Sequence, residues 1–260
     1  MTEARGGRVP TLVVDSMQVY REIPAITNQA RRRPAELVGI VSATEEWTVA
    51  RHKACAEEVI EGLDTPFVLE AGTGMYLNAI LLDIPLAPKV EAHTRQIAQM
   101  IVAGATNPRH ASRAKELELA GLPDRGSIWD GDLRYDTTVV YLRPRREALD
   151  AAVSRRSEGI ARDGLEEAAK IRDLVEAGAG ISASVIDSIG VRELMQHLRG
   201  KMTIEEAESQ MTTRTRQFAR RQIRWFDKLA RTLEGRADIR VAESPDDLDF
   251  MNYMHDRIGA

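Results

Sequence analysis

Asp15 and Ser16 follow a β-branched run, Thr11 to Val14, and open the segment Asp-Ser-Met-Gln-Val-Tyr at 15 to 20. A second strand-like run, Phe67 to Glu70, leads into Ala-Gly-Thr-Gly-Met-Tyr at 71 to 76. A carboxylate and hydroxyls at strand ends suit a nucleotide-type active site, the more so beside a loop whose Gly72 and Gly74 let backbone approach a ligand closely. Each motif alone also reads as turn chemistry, since Asp-Ser after a strand forms Asx-turns and caps, and Gly-Thr-Gly is a common turn. A third set lies far downstream, where Arg214 to Arg231 places seven cations against Asp227, a local charge of +6. Its period is helical: Phe218, Trp225, Phe226 and Leu229 share one stripe, and Arg216, Arg220, Arg224 and Arg231 share another. One face is suited to packing and the other to phosphates, although a basic face by itself is commonly a solvated surface.

The elements that must position these residues alternate between strand and helix. Strands are expected at 11 to 14, 66 to 70 and 137 to 142. A capping box of Ser42 and Glu45 opens a helix over 42 to 63, with Val49, Ala56, Val59, Ile60 and Leu63 on one face. Further helices are expected at 75 to 82, 90 to 103 and 109 to 120. From Arg146 the pattern is almost wholly helical, over 146 to 163, 165 to 177, 184 to 198 and 203 to 233, the last opened by Thr203 and Glu206. Residues 237 to 242 read as a short strand and 246 to 258 as a final helix. This order predicts an α/β fold with a parallel sheet and a helical second half.

Composition narrows the function classes. At 260 residues, 43% hydrophobic and 29% charged, the chain is long enough for one domain with a smaller appendage. Cys55 is the only cysteine and the five histidines, at 52, 93, 110, 197 and 255, are scattered, so neither a disulfide nor a protein-built zinc site is expected. No apolar run approaches the roughly 18 residues of a membrane span, which predicts a cytoplasmic protein without membrane contact. The net charge of −4 leaves any RNA contact to the local basic patch. No Gly-x-Ser-x-Gly elbow, dinucleotide Gly-x-Gly-x-x-Gly loop or Cys-x-x-Cys pair supports another enzyme class.

Taken in order, these motifs resemble those of the tRNA dimethylallyltransferases, a P-loop family with an Asp-Ser-Met-Gln-Val-Tyr strand end and a Gly-Gly-Thr-Gly-Leu-Tyr loop. Thr-Arg-Gln-Phe-Ala-Arg-Arg-Gln-Ile-Arg-Trp-Phe at 215 to 226 resembles the family segment that contacts tRNA, and Arg146 to Glu167 and Ile189 to Glu193 follow two further family patterns. There are departures. Ala152 replaces an arginine, Asn28-Gln29 stands where Thr-Ala-Lys is usual, no His-His pair follows the first motif, and the segment between 85 and 135 is short. The family's Gly-x-x-x-x-Gly-Lys-Ser/Thr loop precedes its first motif by one helix, whereas fourteen residues precede Asp15 here. Glu3 to Gly7 resembles the end of that helix, so Met1 is expected to be an internal start with the loop encoded upstream.

The resemblance implies a P-loop-kinase-like parallel-sheet core over 1–84 and 136–260, its first strand and P-loop missing, with a shortened helical insertion at 85–135. It implies transfer of a dimethylallyl group from dimethylallyl diphosphate to N6 of the adenosine beside the anticodon, position 37 of tRNA. Asp15 then becomes the general base, with Thr73 orienting diphosphate or base. Asp15, Ser16, Met17, Gln18 and Thr73 are expected to meet the tRNA, as are Arg216, Gln217, Arg220, Arg221, Gln222 and Arg224 on the late helix. Arg146 and Arg156 are expected to offer charge to the diphosphate, with Mg²⁺ as cofactor, in a monomer. A non-catalytic tRNA-binding paralogue remains the alternative; an adenylate isopentenyltransferase is disfavoured by the long basic helix.

Overall fold

The computed structural model describes residues 9–106, 108–123 and 126–247. Strand β1 (Thr11–Val14) pairs in parallel with β2 (Val68–Ala71), Thr11 standing opposite Val68 and Val14 opposite Ala71. Leu12, Val13 and Val14 are all buried, as expected of a parallel strand covered on both faces. The other edge of β1 is closed by the extended segment at Glu36, whose amide donates to the Thr11 carbonyl at 2.8 Å and whose carbonyl accepts from Val13 at 3.1 Å. Between the two strands run the single turn α1 (Pro24–Thr27) and the crossover helix α2 (Val49–Glu61). Helix α3 (Gly74–Leu81) starts directly after the second motif.

Helices α4 (Ala92–Ile101) and α5 (Pro108–Leu119) pack on each other. After β3 (Thr138–Leu142) come α6 (Arg146–Asp163), α7 (Leu165–Glu176), α8 (Ala183–Ile186), α9 (Val191–Leu198) and the thirty-residue α10 (Ile204–Leu233). Strand β4 (Asp238–Ala242) then pairs in parallel with β3. The largest core cluster joins Val19, Tyr20, Ile23 and Ile26 of the first motif's continuation to Ile160, Ile171, Leu194 and Met211 of the helical half. Burial of that apolar surface seats the first motif on the helices.

The strands, the α/β class and most helix bounds agree with the sequence reading, and three features differ. The expected sheet consists of two separate two-stranded parallel pairs among the described residues, because α10 packs on β3 and delivers β4 to it. Ser42 and Glu45 do meet, with the Ser42 amide donating to Glu45 Oε1 at 2.9 Å, but they close a turn. The helix begins at Val49, where Thr48 Oγ1 accepts from the Arg51 amide at 3.2 Å and so supplies the cap. The helix expected over 184 to 198 breaks at Gly190, which has φ 104°, a conformation open to glycine; a Cβ there would also lie 2.7 Å from Ile26 and 3.0 Å from Ile160. The expected helix at 246 to 258 begins as a 3₁₀ turn, Pro245–Asp247, and residues from 248 onward lie outside the described ones, as do 1–8 with the glycine stop expected there.

Candidate functional site

Because β1 and β2 end level, the two motifs leave the sheet side by side. The amides of Gly72 and Thr73 both donate to the Val14 carbonyl at 3.1 Å. Asp15 Oδ1 accepts from the amides of Met17 at 2.8 Å and Gln18 at 3.1 Å, an Asx-turn that fixes the carboxylate plane. Thr73 Oγ1 accepts from the Ser16 amide at 3.1 Å and lies 3.4 Å from both Asp15 Oδ2 and Ser16 Oγ. Those last two separations exceed normal O–H···O hydrogen bonds, so Oδ2 carries only a weak contact and remains open to a substrate proton. Gly72 makes room for that oxygen: a Cβ built there lies 2.5 Å from Asp15 Oδ2. The structure therefore brings together Asp15, Ser16, Gln18 and Thr73, while Met17 packs partly against the core.

Helix α10 reaches the same loop. Gln222 Nε2 donates to the Gly72 carbonyl at 2.6 Å, so this residue, expected at the RNA, ties the helix to the loop. Trp225 lies over Gly74 so closely that a Cβ there would meet the indole at 2.2 to 2.6 Å. Its Nε1 donates to Asn78 Oδ1 at 3.2 Å, and Asn78 Nδ2 donates to the Ile128 carbonyl at 3.0 Å. Trp129 adds a tilted ring contact to Trp225 at 4.8 Å, with Lys228 Nζ 4.3 Å from the Trp129 centroid. Loop, basic helix and the segment at Ile128 and Trp129 are thus joined. Phe218, expected on the packed stripe, is exposed, with the Arg221 guanidinium 5.9 Å from its ring, and Ala219 takes the buried place.

The expected anion-binding arginines divide between two places. Arg146, Arg216 and Arg220 line one cleft of about 480 Å³ with Arg143, Leu149 and Ile223 among its walls. Asp150 lies between Arg216, at 3.2 Å, and Arg146, at 3.8 Å. Arg143 pairs with Asp227 at 2.9 Å, an interaction that raises the guanidinium pKa and lowers that of the carboxyl, which also accepts from Tyr141 at 3.0 Å. Arg156, expected beside a diphosphate, instead donates to the carbonyls of Ala25 and Ile26, at 3.4 and 2.5 Å, while Glu167 accepts from the amides of the same two residues. Its work is to clamp α1, and burial lowers its pKa. Gln217, Arg220 and Arg224 are exposed, and neither arginine has an ion-pair partner among the described residues.

Two residues beside the site carried no assignment from sequence. Arg31 bridges Gln18 and Glu70, its Nη2 donating to Gln18 Oε1 and its Nη1 to Glu70 Oε2, both at 2.5 Å. The run Arg31 to Arg33 was the one available signal. His52, fully buried, accepts through Nδ1 from Trp47 Nε1 at 3.1 Å, which places its proton on Nε2, an atom sealed from solvent that completes no well-formed hydrogen bond. Burial pushes its pKa down to about 4, an effect the Val13 backbone offsets only in part. Its ring lies 5.0 Å from Tyr76, whose hydroxyl pKa is raised by burial first and then by Tyr20 and Asp15. Spacing on α2 put Ala56 on the packed face but carried no mark of His52 one turn earlier.

The family described as IPP transferase matches this chain over residues 18–120 and 106–229. A tRNA dimethylallyltransferase of Rubrobacter xylanophilus is 59% identical over 264 residues, covering 100% of this chain and 91% of that protein. One from Phenylobacterium zucineum is 28% identical over 258 residues, covering 87% and 83%. Among solved structures, a eukaryotic dimethylallyltransferase acting on tRNA shares the fold with a TM-score of 0.71 at 21% identity, over 95% of this chain and 71% of that one. The tRNA isopentenylpyrophosphate transferase of Bacillus halodurans does so with a TM-score of 0.65 at 24% identity, over 95% and 85%.

Proposed function

The chain belongs to the IPP transferase family, and from that premise we propose that it is a tRNA dimethylallyltransferase, moving a dimethylallyl group from dimethylallyl diphosphate to N6 of the adenosine beside the anticodon. The observation that carries this reading is the Asp15 carboxylate, held by two amides on Oδ1, open at Oδ2 and set against the Gly-Thr-Gly loop. In the reaction the N6 lone pair forms a bond to C1 of the dimethylallyl group. The C1–O bond breaks, and diphosphate leaves with that electron pair. The proton lost from N6 passes to Asp15 Oδ2, a carboxylate base acting within hydrogen-bond reach. Thr73 Oγ1 accepts from the Ser16 amide and has its proton only weakly engaged, so it can donate to the substrate. Gln222 and Trp225 hold the loop that positions both.

Basic residues recruit the polyanions. The exposed Arg220 and Arg224 of α10 face tRNA phosphates, and the Arg146, Arg216 and Arg220 cleft extends that surface. Mg²⁺, which the family implies, would enter with the diphosphate and offset its charge; among the described residues no three His, Cys, Asp or Glu side chains converge to hold it. Magnesium commonly binds through phosphate oxygens and waters in this way. Among the described residues no helix is long and apolar enough to cross a membrane, and a tRNA substrate is compatible with a cytoplasmic enzyme. The test is incubation of the chain with dimethylallyl diphosphate, Mg²⁺ and tRNA, followed by mass spectrometry of the digested nucleosides. Appearance of N6-dimethylallyladenosine supports the reading; tRNA binding without turnover leaves a tRNA-binding protein, and neither outcome refutes both.

A further inference from the structure

We propose that Arg31 is a positioning residue that fixes the side-chain amide of Gln18 in one orientation, so that the site reads the acceptor at N1 of its target adenine. The proposal rests on the tRNA reading above and adds a source of base specificity to it. A glutamine amide is nearly symmetric in shape and opposite in chemistry at its two ends, so a free one presents either donor or acceptor by turning over. A guanidinium has five donors and no acceptor, so the 2.5 Å contact from Arg31 Nη2 obliges the Gln18 oxygen to point at Arg31. The flipped amide would set N–H against N–H. Gln18 Nε2 therefore faces away from Arg31 with two donors to offer and no acceptor.

Arg31 is itself held. Its Nη1 pairs with Glu70 of β2, the residue opposite Val13 of β1, and its side chain is only 17% exposed. Its Nε is sealed from solvent without a partner, so the planar group is gripped at its two Nη atoms alone. The Gln18 amide nitrogen of the backbone is bound to Asp15 Oδ1, which makes the base and the amide two parts of one turn. With N6 at Asp15 Oδ2, the ring position next to it on the Watson–Crick edge is N1. Adenine offers an acceptor there, whereas guanine offers N1–H, which a donor-only amide rejects. Single-stranded bases are commonly read on this edge.

The test is filter binding of two anticodon stem-loop RNAs that differ only in A or G at the target position, together with steady-state prenylation of the A form. The parent chain is expected to prefer A by at least about tenfold, within the range of one base-edge recognition contact. Arg31→Met keeps the aliphatic stem and removes the donors; it should erase most of that preference. Arg31→Lys, which restores a cationic donor group without the guanidinium's planar fork, should recover part of it, and Glu70→Gln should weaken it. In a Gln18→Ala background, Arg31→Met should have no further effect on the preference. If Arg31→Met keeps the parental A over G ratio, or lowers it equally in the Gln18→Ala background, the positioning role is overturned while the tRNA reading stands. A parent that binds neither RNA overturns both.

Discussion

Gly72→Ala should inactivate the enzyme while leaving it folded and able to bind tRNA. The new Cβ would lie 2.5 Å from Asp15 Oδ2, and ordinary contact begins at 3.4 Å, so the carboxylate must withdraw by about 1 Å. It has little freedom to do so otherwise, because Oδ1 holds two amides and the Gly72 amide is tied to the Val14 carbonyl. Gly72 does not occupy the left-handed region, so alanine adopts its backbone without conformational strain. A misplacement of this size costs about 10²-fold in rate, approaching the roughly 10² to 10⁴-fold contribution of a general base. The assay is single-turnover prenylation at saturating tRNA and dimethylallyl diphosphate, with tRNA affinity measured in parallel and Asp15→Asn as the benchmark. Gly62→Ala is the control, since its Cβ finds nothing nearer than the Val59 carbonyl at 3.5 Å. Turnover of Gly72→Ala at the parental rate would refute the assignment of Asp15 as the base.

Gly74→Ala should lower stability by about 1 to 3 kcal/mol, because its Cβ displaces the Trp225 indole; in thermal melts the Gly74→Ala, Trp225→Ala double variant should lose less than the sum of the singles, and strict additivity would count against the contact. Replacing Arg216, Arg220, Arg221 and Arg224 together by alanine should weaken tRNA binding and reduce its salt dependence by up to about 0.9 log unit per lost phosphate contact. An unchanged slope in filter binding would make that face merely solvated. His52 should make stability fall with acid: its folded pKa, about 4, lies below the ordinary 6.5, so the unfolded chain binds the proton first. Stability is then complete above about pH 6.5 and declines by up to about 3 kcal/mol as pH falls to about 4. Urea unfolding across that window should show a shallower decline for His52→Gln than for the parent, and equal slopes would exclude His52 as the cause.

What could be read from the chain was what depends on neighbours in sequence. The Thr203 and Glu206 box does open α10, with both reciprocal bonds present, because a cap is made within one turn. Ser42 and Glu45 make only one of those two bonds, since the Glu45 amide donates to the Ser42 carbonyl at 3.0 Å rather than to its hydroxyl, and Thr48 supplies the start instead. The break at Gly190 was hidden for a different reason: it is set by the side chains of Ile26 and Ile160, far away in sequence. Asp15, Ser16 and Thr73 stood out because their chemistry sits in strand-end turns. Arg31, which answers to Glu70, left only a basic run, and Gln222 acts on Gly72 across 150 positions.

That last contact changes how the basic helix is understood. Helical spacing puts Gln222, Trp225 and Leu229 on one face, at offsets of three and seven, and Arg220, Arg224 and Arg231 on another. The structure uses the first face to hold the Gly-Thr-Gly loop, through the Gly72 carbonyl and the Gly74 approach, and buries Leu229 behind it. The second face is left exposed. A charge count along α10 sees only RNA binding, and a hydrophobic count sees only core. Neither shows that the helix proposed to meet the RNA is also the helix that ties down the loop beside Asp15 and Thr73, so the geometry of the two strand-end motifs depends on a partner some 150 residues away.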